Sequence, residues 1–346
     1  MWMGKTWSAA MGVAMAMLVS ACGTTTLKVT RMKPAEINIS GFEQIAVSDM
    51  RGPSGGLVAD RISQALFNSG RFQVLDRENL NAILQEQQLS MSDYTDPAQA
   101  VQVGRMLGSA ALVFGSVNRY DYEERSSKTD AMCEVKINGV DKMVPCIRYQ
   151  RMGAWDVEVA LRVVDTATGR VIAMRTFDEK ASRSVAQKDE PPVRNWNPDD
   201  VFDQVVDTVV GRFMRMIAPY HETVQVALFA DKALPGLEHG ITLARAGNWQ
   251  AAIDVFTDTV RQAERMPGLK PQTLARAHYD LAVAYGYSGR YEDAMAELDV
   301  AIRILPDRVF MQEQAKIAQF RRDDERLAEQ TGLQSSRRVD IRMIRS

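Results

Sequence analysis

The chain has 346 residues, 46% of them hydrophobic and 25% charged, with a formal net charge of −2. That length suggests two domains with enough apolar material for real cores. The near-neutral balance gives no broad attraction to nucleic acid, and three histidines with three cysteines leave little room for a metal centre.

The first segment reads as a processing signal. Lys5 is followed by the apolar run AAMGVAMAMLV and then LVSAC. The run is too short for a permanent membrane helix, and small residues precede Cys22, the layout of a cleaved secretory signal over 1–21. A cysteine at this position resembles the lipobox of bacterial lipoproteins. The resemblance implies that Cys22 becomes the diacylated first residue of the mature chain, and two or three acyl chains anchor stably at about 0.8 kcal/mol per buried methylene. Gly23 and Thr24, where an aspartate would signal inner-membrane retention, imply the outer membrane. Residues 22–40 are then expected to be a tether. The compartment is oxidising; with Cys22 taken by lipid, Cys133 and Cys146 remain as a pair.

Residues 41–230 mix strand and helix patterns without regular alternation, which predicts an α/β domain with a mixed sheet covered by helices. FEQIAVSDM reads as a strand. LVADRISQALFNSG places Leu57, Val58, Ile62, Ala65 and Leu66 on one helical stripe, with Ser54 as a cap and Gly70 as the stop. After the short strand RFQVLD, helices are expected from Asp76, with Leu80, Ile83 and Leu84 inward, and from Asp96-Pro97 to Gly108. AALVFGSVNRY is a buried strand, and VEVALRVVD and RVIAMRTF flank the turn TATG. Asn197-Pro198 opens a helix carrying Val201, Phe202, Val205, Val206, Val209, Phe213, Met216 and Ile217. ETVQVALF alternates as a strand.

Within this domain, residues 118–153 form a hairpin insertion. In NRYDYEERSSKTD both faces are ionic, and neither suits hydrocarbon, where a mid-membrane Lys or Arg costs about 2–4 kcal/mol. The return strand puts Ile147, Tyr149, Gly153, Trp155, Val157, Val159, Leu161 and Val163 on one side. DEKASRSVAQKDEPPVRNWNPDD reads as a solvated loop. For the hairpin end, a two-residue Asn138-Gly139 turn places Cys133 opposite Val144, whereas a four-residue loop from Asn138 to Asp141 places it opposite Cys146. The second register is expected, with a Cys133–Cys146 bond.

FQVLDRENLNAILQEQQLS, GRMLGSAALVFGSVNRYDYE and VEVALRVVDTATGRVIA together resemble the CsgG-like family of curli secretion and assembly lipoproteins over roughly 44–217. The resemblance implies an α/β periplasmic domain on a lipidated N-terminus. The family's best known member assembles into a ring whose paired hairpins form an outer-membrane secretion barrel, and a related branch stays soluble and activates peptidoglycan synthases.

Residues 233–332 contain two related segments, EHGITLARAGNWQAAIDVFTDTV and HYDLAVAYGYSGRYEDAMAELDVAIRILP. The second resembles the tetratricopeptide pattern at Leu281, Ala282, Tyr285, Gly289, Tyr291, Ala294, Leu298, Ala301 and Pro306. The first matches at Gly240, Leu243, Gly247, Trp249, Ala252 and Phe256, and departs where Thr259 replaces a small residue. Two repeats cannot bury their faces alone, so residues 310–330 are expected to cap them, with Phe310, Ile317, Phe320 and Leu327 inward. Such arrays offer a groove to peptides or partner helices. The basic tail 333–346 reads as a loose end.

No phosphate loop, dinucleotide turn or nucleophile elbow occurs, and His221, His239 and His278 each stand apart from any acid-and-nucleophile pattern. The expectation is therefore no enzyme and no cofactor. It is an outer-membrane-anchored lipoprotein that binds envelope or secreted proteins and self-associates, with a ring-forming secretion channel or a peptidoglycan synthase activator as alternatives.

Overall fold

The computed structural model describes residues 23–75 and 110–332. The expected helices after Asp76 and Asp96, Cys22 with the signal segment, and the tail lie outside these residues. The chain divides into two compact units, one built from residues up to Arg31 with Glu222–Asp323, the other from Met32–His221 with the chain from Asp324 onward.

The α/β unit holds a five-stranded sheet in the order β3-β2-β4-β5-β6. Its strands are β2 (Gln44–Val47), β3 (Gln73–Leu75), β4 (Ala110–Ile137), β5 (Val140–Asp165) and β6 (Val171–Lys188). β2 runs parallel to both β3 and β4, while β4, β5 and β6 form an antiparallel meander, so the sheet is mixed. Helices α1 (Gly55–Asn68) and α2 (Pro198–Ile217) cover one face. α1 buries Val58, Ala59, Ile62 and Leu66. Ser54 precedes it in a left-handed conformation and makes no side-chain cap bond, so the expected cap is not made. α2 buries every apolar residue named for it from sequence, and the Asn197 side chain accepts the Asp199 N–H at its start. At i, i+4, i+8 spacing, Val205, Val209 and Phe213 lie on one stripe in the same core as the sheet's apolar residues.

The second unit is helical, with a small two-stranded sheet of β1 (Gly23–Lys33) and β7 (Tyr220–Ala230). Its helices are α3 (Pro235–Arg245), α4 (Trp249–Arg265), α5 (Pro271–Tyr287), α6 (Tyr291–Ile304) and α7 (Arg308–Thr331), the last crossing the boundary between units at Asp323. α3 packs on α4, and α5 on α6, as successive helical hairpins. The architecture is thus an α/β domain followed by a helical one.

Two expectations change here. Residues 23–33 form a strand where a tether was expected, because Leu27 and Val29 are drawn into the helical core. β6 continues through Lys188, where DEKASRSVAQK was read as a loop. A charged, two-sided-polar segment still makes a ladder when a long neighbouring strand presents its edge, and β5 does so from Arg148 to Val164.

Candidate interaction surfaces

The meander extends well beyond the helices and forms a three-stranded ribbon. A bulge between Val117 and Arg119 sets its faces. One extra residue in β4 turns Arg119 to the open side and puts Tyr120 and Tyr122 on the core side. There Tyr120 lies 4.1 Å from Phe202, and Tyr122 lies 4.7 Å from Trp155, ring centre to ring centre. Trp155 is buried and donates its indole N–H to Pro198 O at 3.2 Å. The segment after β6 folds back here. Trp196 lies over Gly153, where an added Cβ would come within 2.9 Å of the indole nitrogen. Its N–H reaches Tyr122 Oη at 3.3 Å, and Tyr122 in turn donates to Glu124 at 2.7 Å. That hydrogen bond, together with Arg194 and Arg151, holds the Glu124 carboxyl below the usual range.

The long apolar side of β5 therefore faces α2 and the aromatic cluster. Val157, Val159, Leu161 and Val163 are fully buried in the same core as Val205, Val206, Val209 and Phe213. On the open side Arg119 gathers Asp156 at 2.9 Å, Asp178 at 3.2 Å and Glu158 at 3.5 Å, and Lys180 reaches Asp156 at 3.2 Å. Partial burial would raise the Asp156 carboxyl, but Lys180 and Arg119 hold it below the usual range. This ion cluster spans three strands and was not legible as a unit in the sequence.

Among the described residues, no helix covers the ribbon beyond residue 123. Its end is a two-residue turn in which Asn138 and Gly139 both have positive φ, 53° and 80°, and Ile137 pairs with Val140. This corrects the expected four-residue loop: Cys133 stands opposite Val144, and Cys146 opposite Ala131. The Asn-Gly pair is the strongest short hairpin signal because both residues tolerate the left-handed region. Cys133 and Cys146 are nonetheless disulfide-bonded, on a diagonal of the ladder, with Cα atoms 5.8 Å apart. The slip of one residue pair leaves both cysteines on the same face, so the bond is compatible with either register.

Met132, Ile137, Val140, Met143 and Ile147 ring this tip and are exposed. Among the described residues, β4 has a strand on its outer edge only near its start, beside β2 and Arg51, and β6 has none on its outer side. Open edges and apolar tips are features of association surfaces.

In the helical unit the motif residues occupy the hairpin interfaces. Ala252, Phe256, Leu281, Ala294 and Ala301 are buried. Gly240 lies against the Phe256 ring, which an added Cβ would meet at 2.3 Å. Thr259 replaces the usual small residue, and Gly236 gives the space back: an added Cβ there would come within 2.1 Å of Thr259 Oγ1. Trp249 stacks on Tyr287 at 5.4 Å, Tyr285 lies under Arg290 at 4.4 Å, Gly289 turns at φ 86°, Tyr291 is half-buried, and Pro306 lies between α6 and α7. Phe310, Ile317 and Phe320 of α7 are buried, and Leu327 is half-buried.

Two buried polar groups stand out. His278 Nδ1 is 2.6 Å from Glu297, tying α5 to α6. Asp280 of α5 is fully buried, and both its oxygens lie 3.1 Å from the Phe229 N–H of β7. Burial pushes its carboxyl well above the usual aspartate range. His221 and His239 are exposed. Among the described residues no group of three or more His, Cys, Asp or Glu is placed to hold a metal ion, and no helix is long and apolar enough to cross a membrane.

Residues 29–188 match the family model described as curli production assembly/transport component CsgG. Among solved structures, the chain is similar to the PelC dodecamer protein from Paraburkholderia phytofirmans, at 12% identity, covering 56% of this chain and 99% of that one, TM-score 0.27. It is also similar to the LpoB C-terminal domain from Salmonella enterica, at 14% identity, covering 40% and 83%, TM-score 0.26. A lipoprotein from Neisseria meningitidis matches at 12% identity, covering 49% and 96%, TM-score 0.27. Among curated proteins, nuclear autoantigenic sperm protein from Homo sapiens is 28% identical over 106 residues, which are 30% of this chain and only 13% of that protein's length.

Proposed function

We propose, with the CsgG-type domain of residues 29–188 as premise, that this is an outer-membrane-anchored periplasmic lipoprotein of cell-envelope assembly or secretion. It works by binding proteins, in the manner of curli assembly and transport components, and catalyses nothing. Acyl chains on Cys22 hold it at the membrane, copies associate with one another, and envelope or secreted proteins are its partners. The tetratricopeptide-like hairpins brace the chain. The family match carries this reading, and among the described residues the ribbon supports it with unpaired outer edges along distal β4 and β6 and exposed apolar side chains at its tip.

The test places a photo-crosslinking residue at Met143, on the tip, or at Met174, on exposed β6. The chain is expressed in cells, and adducts are compared with those of a variant carrying Cys22→Ser. Envelope-protein adducts at both positions that disappear with the anchor are the expected result. Adducts absent from both positions, or unchanged without the anchor, would reject it.

The lengths of β4 and β5, 28 and 26 residues, favour one second reading, an oligomeric secretion channel, because a tilted membrane strand needs only about 9–11. Against it, the ribbon past Glu123 carries ionic side chains on both faces: Arg125 and Arg148 on one, Lys128, Asp130 and Arg151 on the other. Conductance steps in planar bilayers would favour the channel.

A further inference from the structure

The face of the helical unit formed by α5 and α7 holds an extended segment of the chain itself. Thr273, Arg276 and Asp280 of α5 lie about one turn apart, and Phe310 and Lys316 continue the seat on α7. Across them runs the end of β7. The Phe229 N–H is received by both oxygens of Asp280, Lys316 Nζ donates to Gln225 O at 3.2 Å, and Thr273 Oγ1 donates to Asp231 Oδ2 at 2.8 Å. Gln225 and Phe229 are four residues apart, so their backbone groups point to the same strand edge. Side chains of two helices satisfy that edge. The Phe229 ring enters a pocket of Tyr279, 5.4 Å away, and Phe310, 6.1 Å away, with the Arg276 guanidinium 4.8 Å above it. Val226 and Leu228 are buried alongside.

A seat made only for packing would be apolar. A fully buried carboxyl costs stability unless it is hydrogen-bonded, and the partner Asp280 has here is a backbone N–H. Main-chain hydrogen bonds for affinity and a pocket for one anchoring side chain for selectivity are how grooves hold extended peptides. We infer that residues 222–231 are a peptide ligand bound in cis, and that this self-occupation closes the α5–α7 face to extended segments of other proteins. A tethered segment has an effective concentration on the order of millimolar. With a cis segment of about micromolar intrinsic affinity, any free segment is therefore disfavoured by about a thousandfold in the intact chain.

The probe is a fluorescein-labelled peptide with the sequence of residues 222–232, titrated by anisotropy against the full chain. The wild type is expected to leave it free at concentrations where a chain carrying Val226→Ser and Phe229→Ala binds it. Adding Asp280→Ala to that weakened chain is expected to reduce binding about tenfold, the loss of a hydrogen bond to a buried carboxyl. Should the weakened chain fail to fold, a second variant carries a protease site inserted between Lys232 and Ala233. It is cut after folding and chased with excess peptide, which should displace the nicked strand. The inference is overturned if the wild type binds as well as the weakened chain, if the folded weakened chain does not bind, or if the nicked chain does not exchange.

Discussion

Gly240 and Phe256 show a residue-level rule that the sequence already carried. A small residue on one helix lets the ring of the next seat against its backbone. Gly240→Ala puts a methyl into a space already filled at 2.3 Å. Overpacking of this kind costs about 1–3 kcal/mol, so the variant should show a lower urea midpoint when helix loss is followed by circular dichroism. Asp280 is the opposite case. It is one of 44 acidic residues, and nothing local marks it, because its burial is created by a strand 51 positions away. Its folded proton affinity exceeds its unfolded one. From about pH 4, the usual aspartate value, the unfolded chain releases a proton that the folded chain keeps. Stability therefore falls as pH rises from there towards the folded value, by up to about 1.4 kcal/mol per pH unit. Asp280→Asn should flatten that fall relative to wild type, measured by urea unfolding at a series of pH values from 4 upward.

At the scale of elements, the ribbon separates what a pattern can and cannot reveal. The apolar side of β5 was legible through its period of two, and so was the absence of a lipid-facing side in β4. The extent of β6 was not, because strand patterns are recognised by one buried face and its distal half has none. Nor does the spacing of the cysteines reveal the turn register. Demanding directly opposed cysteines favoured a longer loop, whereas the chain follows the backbone preference of Asn138-Gly139 and bonds the cysteines diagonally. The bulge at Val117/Arg119 left no sequence trace beyond Asn118 itself. Among the described residues no helix covers the distal ribbon, and the disulfide adds a covalent brace to its ladder. It spans 13 positions, worth about 3 kcal/mol by loop entropy. Replacing Cys133 and Cys146 with alanine should speed amide exchange for residues 131–147 while leaving the protection of β5 between Val157 and Val163 unchanged.

For the whole molecule, the division into an α/β part and a helical part was readable from the change of hydrophobic period near residue 230. The place of residues 23–31 in the helical unit was not, since a polar, threonine-rich stretch beside a signal segment looks like a spacer. The proposed anchor makes a direct prediction. Cys22→Ser should shift the protein from the membrane pellet to the soluble periplasmic fraction, with its circular dichroism spectrum unchanged. Persistence in the pellet after a high-salt wash would mean that other surfaces hold it there.

β1 opens at Gly23 and is already buried in the helical core by Leu27. That leucine is five positions beyond Cys22, a span of about 18 Å at full extension. A chain held by acyl groups on Cys22 therefore has almost no leash. Under the proposed anchoring, the start of the helical unit at Leu27 would be held within that distance of the leaflet.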